Sequence, residues 1–73
     1  MNIEHILNKG IKILRENKIA NPQLDSEILL SNSINKDKKH IILNPKELLN
    51  TDQSKKFKSL IERRIKGEPV AYL

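Results

Sequence analysis

The feature that most constrains the fold is the spacing of apolar residues near the N-terminus. Between Ile3 and Leu14 they recur at positions 3, 6, 7, 11, 13 and 14. At about 100° per residue, these side chains fall on one side of a helix. Asn2 precedes them as a predicted N-cap, and Glu4 in the first turn suits the positive end of the helix dipole. The pattern therefore predicts an amphipathic α-helix from Ile3 to Leu14.

Gly10 lies near the middle of this apolar face. A glycine in a helix interior costs about 1 kcal/mol relative to alanine. Two interpretations stay open. Either another helix crosses closely at Gly10 and requires the missing side chain, or the glycine is merely tolerated.

A second helix is predicted to begin at Asn21-Pro22 and to run to about Ser33, with the proline at the first helical position. Its apolar residues spread over much of the circumference, which indicates a central element packed on more than one side. Asp25 and Glu27 lie near its start. We interpret both as partners of the helix dipole rather than as catalytic acids, because nothing else that acid–base chemistry needs is assembled nearby.

A short helix is predicted from about Lys38 to Leu43. A strand is less favoured, because the chain offers no second strand to pair with it. Asn44-Pro45 should end this helix, since the residue before a proline avoids the helical region. The loop that follows is expected to cover the core with Leu48 and Leu49.

Thr51 is the predicted cap of the last long helix, in which apolar residues repeat at helical spacing up to Ile65. Gly67 is a candidate for the C′ position of that helix. Glu68-Pro69 could then start one more helical turn through Tyr72. Together the segments predict an all-α fold, a small helical bundle of about four helices plus a short C-terminal helical turn.

The chain has 73 residues, which allows one domain and excludes a doubly wound nucleotide-binding fold built from several crossover units. It has no cysteine, so disulfides and thiolate metal sites are excluded. No apolar run approaches the ~20 residues of a membrane span, and the N-terminus has no apolar stretch like that of a signal peptide. We therefore expect a cytoplasmic protein with no membrane contact.

Motifs that carry chemistry are not found. The two glycines cannot form a Gly-rich phosphate loop, and His5 and His40 lie in different predicted helices without metal-ligand spacing. Asn44-Pro45 is followed by Lys46-Glu47 rather than by the apolar or aromatic pair of a methyltransferase loop, so we interpret it as a helix stop. No catalytic, cofactor-binding or metal-ligating residue is predicted.

The formal net charge is +5, and 11 of the 14 cations are lysines. Three cationic clusters stand out, at residues 36–39, 55–58 and 63–66. They are compatible with a stand-alone basic module that binds RNA or DNA, or with a solvated lysine-rich surface. The second interpretation is favoured, because no aromatic residue is available for base stacking and acids interrupt the cations of the last helix.

The C-terminal string ERRIKGEPVAYL, from Glu62 to Leu73, closely resembles the RRxxGEPVAYI segment of the HemK/PrmC family. This family comprises the protein-(glutamine-N5) methyltransferases of peptide chain release factors. NPQLDSEILL, from Asn21 to Leu30, is similar to the family's NPRLDAELLL stretch, and the segment from Thr51 to Phe57 occupies the place of its TPEQLxxF helix start. The spacing also matches, so the resemblance covers the whole chain.

The resemblance implies that residues 1–73 form a single helical N-terminal domain for substrate docking, with residues 67–73 as the start of an interdomain linker. The parent enzyme would transfer a methyl group from S-adenosylmethionine to the glutamine of a release factor's Gly-Gly-Gln motif. Its Gly-rich cofactor motif and Asn-Pro-Pro-Tyr loop are not in this chain. The domain alone is therefore expected to be a monomer that binds no cofactor and catalyses nothing.

Two sets of residues become candidate sites on this basis. Lys55, Lys56 and Lys58 are predicted to contact the release factor, against the alternative that this basic face serves only solubility. Pro69, Val70 and Tyr72 are predicted to pack against the protein's own catalytic domain.

Overall fold

Four α-helices follow one another in the order predicted from the sequence. A computed structural model describes the backbone of residues 1–73 and every side chain except that of Tyr72. Within it lie α1 (Ile3–Glu16), α2 (Pro22–Ile34), α3 (Lys38–Leu43) and α4 (Thr51–Ile65), followed by a 3-10 turn at Val70–Tyr72. The all-α prediction is therefore confirmed, and no described helix has the length and apolarity needed to cross a membrane.

The second helix is the central element of the bundle. It packs against α1, α3, α4 and the C-terminal turn, as its widely distributed apolar residues predicted. Leu29 and Leu30 on this helix are completely buried. The core around them is aliphatic apart from one aromatic side chain, and it comprises Ile3, Ile6, Leu14, Leu29, Leu30, Ile34, Ile41, Leu49, Phe57, Leu60 and Ile61.

Gly10 marks the point where α1 meets α4. A Cβ atom added at Gly10 would lie 2.5 Å from Cζ and 2.8 Å from Cε2 of Phe57, closer than carbon atoms can approach without a shift. The close crossing is therefore confirmed, and the alternative of a merely tolerated glycine is wrong. The missing side chain lets the ring of Phe57 pack directly onto the backbone of α1.

The helix caps agree with the sequence only in part. Asn2 caps α1 as predicted, accepting a hydrogen bond from the His5 amide at 2.8 Å. Asn21 makes no side-chain cap bond, although Pro22 begins α2 as expected. The Thr51 prediction is wrong by one residue, because Asn50 has the extended backbone of a cap and exchanges two hydrogen bonds with Gln53. This reciprocal capping box satisfies two free amides at once.

Leu48 was expected to cover the core with Leu49, and this is wrong. Leu49 is buried, whereas the side chain of Leu48 is 76% exposed. The segment is extended there, forming an isolated antiparallel bridge between Asn2 and Leu48, with the Leu49 amide donating to the Met1 carbonyl at 2.9 Å. Successive side chains of an extended segment point to opposite sides, so only one of the two leucines can face the core.

Candidate partner-binding surfaces

The three lysines predicted to bind a partner are all exposed on α4, but they do not form one patch. Lys55 and Lys58 are three residues apart and lie on the same edge of the helix, where both line a groove. Lys56 does not line that groove and projects elsewhere around the helix. The structure therefore brings together two of the three candidates.

The groove runs between α1 and α4 and has a volume of about 480 Å³. Its floor is formed where Gly10 meets Phe57 and Ile61, so the close helix crossing also creates the base of the groove. The remaining wall includes five further apolar side chains, those of Met1, Ile6, Ile13, Leu49 and Ile65. The groove is thus an apolar surface open to solvent.

Positive charge borders this apolar surface on both sides. Lys9 lines the groove from α1, and Lys55 and Lys58 line it from α4. Among the described side chains, none of these three forms an ion pair. Glu62 is the one acid among the groove residues of the described chain. The positive N-terminal end of α4 also opens here, where Thr51 lines the groove.

Lys9 was missed in the sequence because it belongs to no cationic cluster along the chain. Only the crossing of α1 over α4 brings it near Lys55 and Lys58. The sequence signal that could have found it is Gly10 itself. A helix that crosses closely at Gly10 necessarily carries the neighbouring Lys9 to the edge of the contact.

On another side of α4, toward α2, the charges are paired. Arg64 donates from Nε to Oδ2 of Asp25 at 3.0 Å, and it also reaches the Glu68 carbonyl at 3.4 Å. Asp25 is 8% exposed, so this ion pair ties α4 to α2 at a largely dry position. The assignment of Asp25 to the helix dipole was incomplete, since it lies in the first turn of α2 but also has this partner on α4.

A second largely buried acid of α2, Glu27, is also paired with a cation of another helix. Glu27 is 7% exposed and lies 3.6 Å from Nζ of Lys38, the first residue of α3. It lies beyond the first turn of α2, so its interpretation as a dipole partner is wrong. Its role is to connect α2 with α3.

The C-terminal string is held by a Schellman motif. Gly67 has a φ of +101°, its amide donates to the Arg64 carbonyl, and the Glu68 amide donates to the Arg63 carbonyl. The Arg63 guanidinium also donates two hydrogen bonds to the Glu68 carboxylate, at 2.8 and 3.0 Å. These bonds lower the pKa of Glu68 and raise the pKa of Arg63, while nearby Lys66 lowers that of Glu68 further.

The predicted interdomain residues follow this motif. Pro69 is exposed, whereas Val70 is half-buried and packs against the core of this domain. The side chain of Tyr72 lies outside the described part of the structure. The turn packs on α2, where Nδ2 of Asn32 donates to the Leu73 carbonyl at 3.3 Å. Packing of these residues against a catalytic domain stays a prediction.

Groups suited to chemistry are sparse. Among the described residues, no cluster of three or more His, Cys, Asp or Glu side chains could hold a metal ion. His5 is exposed, and Nε2 of His40 is hydrogen-bonded to Glu47 at 2.8 Å. The candidate surfaces are therefore the apolar groove with its lysine border and the paired-charge side of α4.

Known proteins similar in sequence to this chain are methyltransferases by name. The chain is 38% identical over 71 residues to a "Bifunctional methyltransferase" of Rickettsia bellii, covering 97% of this chain and 13% of that protein. It is 30% identical over 73 residues to a "Release factor glutamine methyltransferase" of Aliivibrio fischeri. A protein of the same name from Buchnera aphidicola is 40% identical over 73 residues. Both alignments cover 100% of this chain and 26% of the relative.

The chain therefore spans about a quarter or less of the length of these relatives. No solved structure matches it significantly. The family model for the PrmC N-terminal domain matches residues 5–73, which is nearly the whole chain. The protein therefore belongs to the HemK/PrmC family, and this chain corresponds to the N-terminal domain of that family.

Proposed function

We propose that this chain is the substrate-docking domain of a methyltransferase that modifies the glutamine of a release factor's Gly-Gly-Gln motif. The observation that carries the proposal is the family match over residues 5–73, together with relatives named release factor glutamine methyltransferase. Release factors act in translation, so the protein would work in the cytoplasm.

The chemistry of the reaction explains why a docking domain is useful. An amide nitrogen is a poor nucleophile because its lone pair is delocalised, so the enzyme must align it closely with the methyl donor. Binding energy from remote contacts can offset the cost of ordering one flexible substrate loop. A second domain that holds the release factor provides such contacts without taking part in the methyl transfer.

S-adenosylmethionine would supply the methyl group, but the residues of this chain do not fit a site for it. The two glycines are used at a helix crossing and in a Schellman turn, so neither belongs to a Gly-rich cofactor loop. We therefore assign the cofactor and the Asn-Pro-Pro-Tyr loop to residues outside the chain. The gene downstream of Leu73 should encode both motifs.

The two surfaces suit two different roles. The lysine-bordered groove leaves its cations free for a partner, which supports release factor binding through Lys55 and Lys58. The C-terminal turn is anchored to α2, so it can support a following domain in a fixed direction. In this second role Pro69, Val70 and Tyr72 would form the contact with the catalytic domain.

Calorimetric titration of the chain with a release factor, at low and high salt, tests the docking role. We expect saturable binding to the release factor and much weaker binding to a duplex RNA of similar charge. No binding to the release factor would contradict the proposal. A strong affinity for RNA that falls steeply with salt would favour the nucleic-acid alternative instead.

The predicted contact residues are tested in the protein that joins this domain to its catalytic domain. Reversal of Lys55, Lys56 and Lys58 to Glu should raise KM for the release factor and leave kcat for a short Gly-Gly-Gln peptide unchanged, because only remote binding is lost. Unchanged kinetics on the whole release factor would exclude these lysines as contacts.

A further inference from the structure

We infer that the groove between α1 and α4 binds an amphipathic α-helix whose apolar face is flanked by acidic residues. The inference rests on the proposed function only in assigning that helix to the release factor. The groove itself, its lining and its charges are independent of that assignment.

The spacing of the groove residues fits a helix. On α4 the groove residues recur every three or four positions, which forms a continuous stripe along one side of the helix. They are Thr51, Ser54, Lys55, Lys58, Ile61, Glu62 and Ile65. The stripe extends along the whole helix of 15 residues, or roughly 22 Å at 1.5 Å per residue. Such a length accommodates about four turns of a bound helix.

The opposite wall has the same periodicity. Ile6, Lys9 or Gly10, and Ile13 on α1 line the groove at intervals of three and four residues. Two helices that each present such a stripe to one channel leave a position for a third helix to pack. The apolar anchors of that helix would insert between Ile13 on one wall and Ile65 on the other.

The charges define which helix fits. Lys9 on one wall and Lys55 and Lys58 on the other make no ion pair within the described structure, so a helix in the groove would be bordered by cations on both flanks. Acidic residues beside its apolar face would complement them, and lysines there would be repelled.

Other occupants fit less well. Nucleic acid would bind through phosphates and stacked bases, but the floor of the groove is apolar, and Phe57, the one aromatic among its described side chains, is only 4% exposed. The C-terminal turn of the same chain packs on α2 rather than on the groove. A helical segment of another protein is the occupant that uses both the apolar floor and the free lysines.

Two synthetic peptides test this directly. Both are amphipathic helices of about sixteen residues with leucines at i, i+3, i+4 and i+7, one with glutamates beside the leucine face and the other with lysines. We expect the glutamate peptide to bind the chain at least about tenfold more tightly than the lysine peptide, with the difference shrinking at high salt. Equal affinity for both peptides would overturn the inference.

A matched pair of variants locates the contact. Lys9→Glu with Lys58→Glu reverses one groove lysine on each helix, whereas Lys12→Glu with Lys39→Glu reverses two exposed lysines outside the groove. The net charge changes equally in both. The groove pair should weaken binding of the glutamate peptide about tenfold and the control pair less than about twofold.

Equal losses in the two double variants would overturn the groove as the site. Circular dichroism will verify that both remain helical. If the groove pair does not fold, the neutral variant Lys9→Gln with Lys58→Gln replaces it, with an expected loss of about threefold.

Titration with the release factor separates this inference from the proposed function. Binding of the glutamate peptide in the groove without binding of the release factor would overturn the proposed function and leave the inference standing. Equal binding of the release factor to the wild-type chain and to the groove variant would overturn the assignment of the bound helix to the release factor and leave the docking role standing.

Discussion

The two sides of α4 differ in how they use charge. Toward α2, the side chain of Arg64 is hydrogen-bonded to Asp25, and the adjacent Arg63 is hydrogen-bonded to Glu68 just beyond the end of α4. Toward α1, the described structure leaves Lys55 and Lys58 without ion pairs above an apolar groove. The net charge of +5 does not reveal this difference. One side of the helix therefore contributes ion pairs within the domain, and the other presents to solvent lysines that are unpaired within the described structure.

The largest expected difference in stability is between truncation of a side chain in the core around α2 and truncation of one at the groove. Leu30→Ala removes a completely buried side chain of α2 and should destabilise the domain by about 3 kcal/mol. Ile65→Ala removes a half-buried side chain at the groove and should cost about 1 kcal/mol. Urea unfolding followed by circular dichroism measures both. Equal losses would show that the groove wall is as much a part of the core as α2.

A second contrast concerns the neighbouring arginines. Arg64→Met leaves Asp25 largely buried without its partner and should cost about 2 kcal/mol. Arg63→Met removes only an exposed pair, which solvent screens, and should cost much less than Arg64→Met. The same unfolding experiment compares them. A similar small loss for both would contradict the view that the Asp25–Arg64 pair stabilises the α2 side.

A third prediction concerns Gly10 at the base of the groove, where the sign of the change in unfolding free energy is decisive. Gly10→Ala should destabilise the domain by about 1 kcal/mol, because the added methyl group clashes with the buried ring of Phe57 and more than cancels the gain in helix propensity. Thermal unfolding gives the sign directly. Stabilisation by about 1 kcal/mol, as propensity alone predicts, would mean that the helices do not cross closely there.

The smallest effect is a pH dependence confined to the C-terminal side. Because Arg63 lowers the pKa of Glu68 in the folded chain, the contribution of this pair to stability is fully present above the ordinary glutamate pKa of about 4.3. It is lost as the pH falls through the lower pKa of the folded state. Amide shifts of Gly67 and Glu68, followed by NMR, should change as the pH falls below the ordinary glutamate pKa. Glu68→Gln should remove this change, and its persistence in that variant would assign it to another group.

The helices and their order could be predicted from the sequence, because apolar spacing and proline positions are local properties. Cap positions were less predictable. Asn50 and Thr51 are adjacent and both are good caps, and only the reciprocal bonds with Gln53 decide between them. Which of Leu48 and Leu49 is buried likewise depends on the pairing of this segment with the N-terminal residues, which lie far away in the chain.

The candidate surfaces were predictable only in part. Lys55, Lys56 and Lys58 form a cluster along the chain, but helical geometry separates Lys56 from the other two. Lys9 joins the groove only through the crossing of α1 and α4. The ion pair between Asp25 and Arg64 could not be predicted from the sequence. The two residues are 39 positions apart, and their contact depends on how α2 and α4 pack.

The most direct test of docking through the groove is an NMR titration of the isotope-labelled chain with a release factor. We expect amide shifts to change along the groove, at residues such as Lys9, Ile13, Ser54 and Lys58, and to stay constant in α2 and the C-terminal turn. Changes confined to the C-terminal side, or no changes on addition of the release factor, would contradict docking through the groove.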